Sequence, residues 1–340
     1  APPDPEAMRA ALLSLALLVP PSSGVAFAEA SVDYRIRFPD LARHEARVTI
    51  EIRGLEPGIL ELRMSRSSPG RYALHEFAKN VYAESATDLD GRALEVERPD
   101  SHGWNVRHRG SVQFHYTLFA DRADGTYSGI DRQHAHLNMP ATFAWARGLE
   151  EAPIRVRFER PHDSWRISTQ LLPTADPEVF TAPDLQYFLD SPTEISDHVV
   201  YSWQSDSGSY RLALHHRGTD AEARAFVAAC EAIVDESVAV FGEAPRFDGG
   251  SYTFLADYLP TVSGDGMEHR NSTVLTSTLS IDEAPVRLLG TVAHEFVHAW
   301  NIERIRPRSL EPFDFERANM SGELWFGEGF TSYYGALILE

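Results

Sequence analysis

The apolar residues of this chain change their spacing once, and that change sets what the chain can fold into. From Ser31 to about Trp203 they alternate with polar residues. VDYRIRF, ARVTIEIRGL, VQFHYTLFA and IRVRFER each set their apolar side chains on one face of an extended strand. Turn signals separate the runs at Glu56-Pro57-Gly58, Ser68-Pro69-Gly70, Asp90-Gly91 and Asp124-Gly125. After about Gly218 the spacing becomes helical. TDAEARAFVAACEAIVDESVAVFG has a start signal at Asp220 and a stop at Gly242, and YTFLADYL reads as one more strand. Asp282 to about Glu303 reads as a helix whose first turn tolerates Pro285. Glu323 to Glu340 is a last helical stretch, and a helix interrupted at its final residue implies a protein that continues. The expectation is an α+β chain: a β-rich unit over 29–217, then a mixed unit over 218–340 that is truncated at its C-terminal side.

Composition narrows the classes. A 43% hydrophobic share supplies a large core. The net charge of -19, from 31 basic and 50 acidic residues, lacks the basic footprint that nucleic acid demands. The one cysteine, Cys230, excludes an intrachain disulfide and sits in the apolar run AFVAACEAIV, where it reads as a small core residue. At the N-terminus, Met8 and Arg9 precede the apolar run Ala10 to Val19, and Ala26-Phe27-Ala28 follows. That order is the pattern of an export signal cleaved near Ala28, which predicts a periplasmic or secreted protein. Residues 1–28 therefore stand outside the fold reading. No other segment is long and apolar enough to cross a membrane.

The chemistry concentrates in TVAHEFVHAWN, residues 291–301. His294 and His298 are four apart. On a helix both imidazoles share one face, about 6 Å apart along the axis, close enough to share one zinc ion. Glu295, about 100° further round the helix, reaches the metal's neighbourhood without being a ligand, as a general base must. Catalytic zinc takes a third protein ligand and leaves a position open. The best candidate is Glu328 in ELWFGEGFTSYYG, thirty residues beyond His298 and set among aromatic residues. The bland alternative is a surface glutamate near a turn. Ser332 or Thr331, on the same helix, is expected to accept the outer N–H of a histidine ligand and so fix its tautomer. His134 and His136 in RQHAHLN could also face one metal from a strand, but no third ligand is evident and ordinary loop histidines are the commoner case. Arg304 and Arg306 suit either a substrate carboxylate or a structural acid.

HEFVHAWNIERIRP followed by LWFGEGFTSYYG resembles the glycyl aminopeptidase family of gluzincin zinc metallopeptidases. GDGMEHRNST at 264–273 is similar to that family's substrate-binding strand, and SPGRYALHEFAKNV and FLDSPTEI to its N-terminal domain. The resemblance covers nearly all of residues 31–340. It implies a β-rich N-terminal domain, a thermolysin-like zinc peptidase domain and a PDZ-like domain further on that this chain lacks. It implies one zinc ion on His294, His298 and Glu328, with Glu295 as base and Glu268 holding the α-ammonium of a peptide substrate. Gly264 and Gly266 would let the peptide backbone approach the strand edge. The implied activity is release of N-terminal residues, with a preference for glycine and alanine. The oxyanion-stabilising tyrosine of such enzymes would lie beyond residue 340, and Tyr333 and Tyr334 are expected to pack within the last helix. Two alternatives stay open: a thermolysin-like endopeptidase, and a non-catalytic peptide-binding protein on the same fold.

Overall fold

The computed structural model describes residues 30–205 and 208–340, so the export signal read over 1–28 lies outside the described residues. In the first unit, strand Ser31–Asp40 buries Val32, Tyr34, Ile36 and Phe38 and turns Arg35 and Arg37 outward. It pairs antiparallel with Glu45–Arg53 and parallel with Ile154–Phe158, inside an eight-stranded sheet. A four-stranded sheet contains Gly58–Arg63 and Gly103–His108. Another runs Arg166–Thr169, Thr193–Ser196, His134–Leu137, Gly129–Ile130. Two short helices, α1 (Met139–Thr142) and α2 (Leu185–Leu189), close the unit. The sheets meet on one core that includes Trp104, Phe114, Tyr116, Phe143 and Phe188, all buried. Tyr34 stacks on Phe188 at 4.7 Å and donates its hydroxyl to the Ala144 carbonyl, so its polar end is satisfied inside the core.

The second unit is a five-stranded sheet in the order Val199–Ser205, Gly208–His216, Ser251–Tyr258, Ser272–Ser277, Asp265–His269. Its first two strands alternate like those of the first unit, which is why spacing alone groups them there. Alternation identifies a strand and not the sheet it joins. The ladder decides: Gly208–His216 runs parallel to Ser251–Tyr258 from Ser209↔Ser251 to His216↔Tyr258. The sheets therefore change over near residue 198, earlier than the change in spacing.

Helix α3 (Asp220–Phe241) crosses between these two parallel strands. Asp220 is its first helical residue, and the cap is Thr219. The Thr219 hydroxyl accepts from the Glu222 N–H and the Glu222 carboxylate accepts from the Thr219 N–H, while Gly242 stops the helix at φ 81°. Cys230 is fully buried on this helix, and burial pushes its thiol pKa up. Helix α4 (Pro285–Val297) packs against α3 and against α5 (Leu324–Leu339). It ends at His298, short of Glu303, and the chain turns away through Ile302 at φ 111°. A Cβ on Gly335 of α5 would lie 3.0 Å from the His294 Cα, so the absent side chain permits that closeness.

The 302–323 loop joins α4 to α5 and is rooted in the first unit. Phe315 is buried in that unit's core, and its carbonyl accepts from Arg66 N at 2.6 Å and Ser67 N at 3.2 Å. Glu316 meets Arg63 at 3.1 Å and Arg147 at 2.7 Å. Among the described residues no helix is long and apolar enough to cross a membrane.

Candidate metal centre

Helix α4 presents His294 and His298 with their Nε2 atoms 3.3 Å apart. Glu328, in the first turns of α5, places Oε2 3.7 Å from His294 Nε2 and 3.6 Å from His298 Nε2. Zinc bonds of 2.0–2.2 Å in a tetrahedral shell put ligand atoms roughly 3.3–3.6 Å from one another, so the triangle fits that ion. His298 donates its Nδ1 hydrogen to the Asn301 carbonyl at 2.9 Å, which leaves the Nε2 lone pair aimed at Glu328 and His294. Thr331, fully buried, lies 3.4 Å from His298 Nδ1, donates to the Gly327 carbonyl and accepts from the Asn301 side-chain amide. Ser332 is exposed instead of facing the histidines. The buried stripe of α5 runs through Gly327, Thr331 and Gly335, and Ser332 lies one residue off it. The nearer acceptor behind His298 is thus the Asn301 carbonyl, which side-chain types in a sequence do not reveal, and the Thr331 hydroxyl is a second, longer partner of the same nitrogen.

Glu295 is 5% exposed, and its Oε2 is buried without a hydrogen-bond partner. Burial raises its pKa well above the usual carboxylate range, and the negative charges of Glu268, Glu328 and Asp265 add to the rise. Glu268 is buried as well, and carboxylate oxygens of Glu268 and Glu295 and a nitrogen of His298 lie within 4.8 Å of one another. The pKa of Glu328 is lowered by its hydrogen bond with His294. Glu268 and Gly266 belong to Asp265–His269, an edge strand of the second sheet. Gly266 sits directly over Glu295: a Cβ built there would collide with Glu295 Oε1.

The first unit supplies part of this site. Tyr72 donates its hydroxyl to Glu328 Oε1 at 3.3 Å. Burial and the charges of Glu268 and Glu328 raise its pKa, so it stays a neutral donor. Arg71 pairs with Asp265, whose Oδ2 also accepts from Gly125 N at 3.0 Å. Asp190 accepts from His269 Nδ1 at 2.8 Å and from Arg270 N at 3.0 Å, and Gln170 Oε1 accepts from Asn271 N at 2.8 Å. The edge strand and its turn are clasped by the other unit. Tyr72 carries no periodic or spacing signal of its own that would single it out. Beside the site lies a cavity of about 510 Å³ whose walls include Gly70, Tyr72, Tyr187, Glu268 and Arg306. Arg306 pairs with Glu303 at 2.8 Å and Glu311 at 2.7 Å, and Arg304 donates to the Ala299 and Arg270 carbonyls, so both arginines hold structure. Tyr334 packs on Phe241, whereas Tyr333 is exposed.

A model described as the Peptidase M61 N-terminal domain matches residues 33–197, and one described as M61 glycyl aminopeptidase matches residues 287–340. The fold is similar to the aminopeptidase N family protein from Idiomarina loihiensis, with TM-score 0.82 and 25% identity over 91% of this chain and 54% of that one. Legionella pneumophila aminopeptidase A, solved in complex with aspartic acid, shares the fold at TM-score 0.52 and 13% identity over 91% of this chain and 37% of its own. The chain thus spans about half the length of the first and over a third of the second. No curated protein sequence matches it. With matches in both units, to the N-terminal domain and to the segment bearing both histidines and Glu328, the chain belongs to the M61 glycyl aminopeptidase family.

Proposed function

We propose that the protein is a zinc-dependent aminopeptidase that hydrolyses the first peptide bond of a substrate with a free N-terminus. The observation that carries this is the convergence of His294 Nε2, His298 Nε2 and Glu328 Oε2 at 3.3–3.7 Å, with two buried carboxylates, Glu295 and Glu268, beside them. The two histidines and Glu328 would hold one zinc ion, which when bound supplies a Lewis acid and a water of lowered pKa.

Each remaining role falls to the chain itself. Glu295, unpaired and with raised proton affinity, takes a proton at its carboxylate and returns it to the departing amine. Glu268 takes the cationic N-terminus of the peptide, and its buried setting strengthens that ion pair. Asp265–His269 stands last in its sheet, with one side lacking a strand partner, where an extended peptide could add. Tyr72 holds Glu328 from the opposite wall.

A preference for glycine rests on the family's description, and its extension to alanine on the similar size of that residue. The neighbouring cavity, about 510 Å³, has room for larger side chains. The test compares glycyl, alanyl and leucyl chromogenic substrates with their N-acetylated forms, before and after chelation. Cleavage of free but not acetylated substrates, lost on chelation and restored by zinc, is the expected result. Equal cleavage of acetylated peptides would establish an endopeptidase, and no cleavage with zinc bound would leave a peptide-binding protein.

A further inference from the structure

A second group of buried ionisable side chains lies where the two units meet. His134 and His136 come from strand His134–Leu137 and Glu194 from Thr193–Ser196, both in the first unit. Asp257 comes from Ser251–Tyr258 and His215 from Gly208–His216, both in the second. Four of them, His134, Glu194, His215 and Asp257, each offer a ligand atom within 4.8 Å of the others. His136 approaches the same two carboxylates. The histidines that the sequence offers as ordinary loop residues are therefore strand residues, 2% and 1% exposed, and the further ligands come from distant strands.

Glu194 and Asp257 are each 1% exposed, and among the described residues their charged partners are histidines alone. Both oxygens of Glu194, and Nδ1 of both His134 and His136, are buried without a hydrogen-bond partner. Two carboxylates in such a place demand a compensating positive charge. His136 Nδ1 lies 3.3 Å from Glu194 Oε2 and 3.5 Å from Asp257 Oδ2. His134 Nδ1 lies 3.6 Å from Glu194 Oε1 and 3.7 Å from Asp257 Oδ2. Charge-assisted N–H···O bonds close to about 2.7–2.9 Å. These gaps are longer, and they span the same 3.3–3.7 Å as the edges of the His294–His298–Glu328 triangle.

The tautomer agrees. His136 donates from Nε2 to the Asp124 carbonyl at 3.0 Å, as His298 donates to Asn301 from its own outer nitrogen. A neutral His136 then aims its Nδ1 lone pair at two carboxylate oxygens, an arrangement that repels unless a cation lies between them. His215 bonds the far oxygen of Asp257 at 3.2 Å and holds that carboxylate in place.

We propose that His134, His136, Glu194 and Asp257 bind a second divalent cation of the zinc class, which ties the two units together away from the peptidase centre. Two imidazoles and two carboxylates would supply four ligands, the number a structural site uses. Two extra protons, one on each imidazole, would balance the same charge: burial alone would lower both pKa values, but the carboxylates outweigh it and raise them, His136 to about 9.

The test strips the protein with a chelator, reloads it with Zn2+ alone and measures bound zinc by mass spectrometry. The wild type is expected to hold two equivalents, H298A one, H136Q one, and the double variant none. Anomalous diffraction at the zinc edge should show two peaks in wild-type crystals. A wild type that saturates at one equivalent, abolished by H298A, with no anomalous peak at Glu194, would overturn the proposal and leave protons as the balancing charge. If H136Q does not fold, the anomalous map alone decides. One equivalent that survives H298A but not H136Q would keep this site and sink the peptidase centre, so the two readings fail separately.

Discussion

Replacing Gly266 with alanine tests whether the edge strand holds Glu295, the proposed base, in place. The added Cβ would lie 2.8 Å from the Glu295 carboxyl carbon and 2.9 Å from the Thr291 methyl, besides colliding with Glu295 Oε1. Carbon atoms in contact rest at about 3.5–4.0 Å, so roughly 0.7–1.2 Å of movement is required. Glu295 is the group that yields, because no hydrogen bond ties its Oε2 and Thr291 is fixed to the same helix one turn earlier. A misplacement of about 1 Å at a reacting group costs on the order of 100-fold in rate, which corresponds to about 2.7 kcal/mol of lost transition-state stabilisation. The assay is kcat on a chromogenic alanyl substrate, alongside zinc content and circular dichroism. G266A should lose about 100-fold in kcat while retaining its zinc, since no ligand atom is among the nearest neighbours of the new methyl group. Wild-type turnover would refute the placement of Glu295 against the strand. A folded variant that has lost its zinc would show that Gly266 serves the ligands instead.

Three further outcomes are expected. Glu295→Gln should keep metal and fold and lose roughly 100- to 10,000-fold in kcat, measured on the same substrate. Tyr72→Phe removes the 3.3 Å hydrogen bond to Glu328 and should weaken zinc binding by about 10- to 100-fold in chelator competition; unchanged affinity would deny Tyr72 any part in holding that ligand. Glu316→Gln breaks charge pairing with Arg63 and Arg147 and should cost roughly 1–3 kcal/mol in urea unfolding at pH 7. Burial pushes the Glu316 pKa up, but Arg147 and Arg63 outweigh it and the net direction is down. A depressed folded pKa stabilises above the unfolded value and ceases to as pH falls through the folded one, so the gap between wild type and variant should close below about pH 4.

Some of this molecule was readable from its residues, and the rest failed for identifiable reasons. Helix starts and stops are local chemistry, so Asp220 and Gly242 could be read, with the Thr219 cap one residue earlier. His294, His298 and Glu328 were singled out because four-residue spacing and a carboxylate among aromatics are visible in a string of letters. Spacing alone groups strands 199–216 with the first unit, because their partner, Ser251–Tyr258, is fixed by pairing across α3. Ser332 was read by type, but helix phase turns it outward. His134 and His136 lacked a visible third ligand because Glu194 and Asp257 lie about 60 and 120 residues away in sequence. Tyr72 reaches Glu328 across 256 positions, a distance no local pattern spans.

The loop that carries Phe315 and Glu316 decides how the candidate metal centre depends on its neighbour. Both imidazoles stand on one helix of the second sheet's layer, whereas the acidic partner arrives at the end of a tether whose anchor is sunk in the other half. A chain shorn of its first two hundred residues would keep the histidine pair and forfeit the grip that delivers Glu328 to it. Neither half alone would bring the three side chains together.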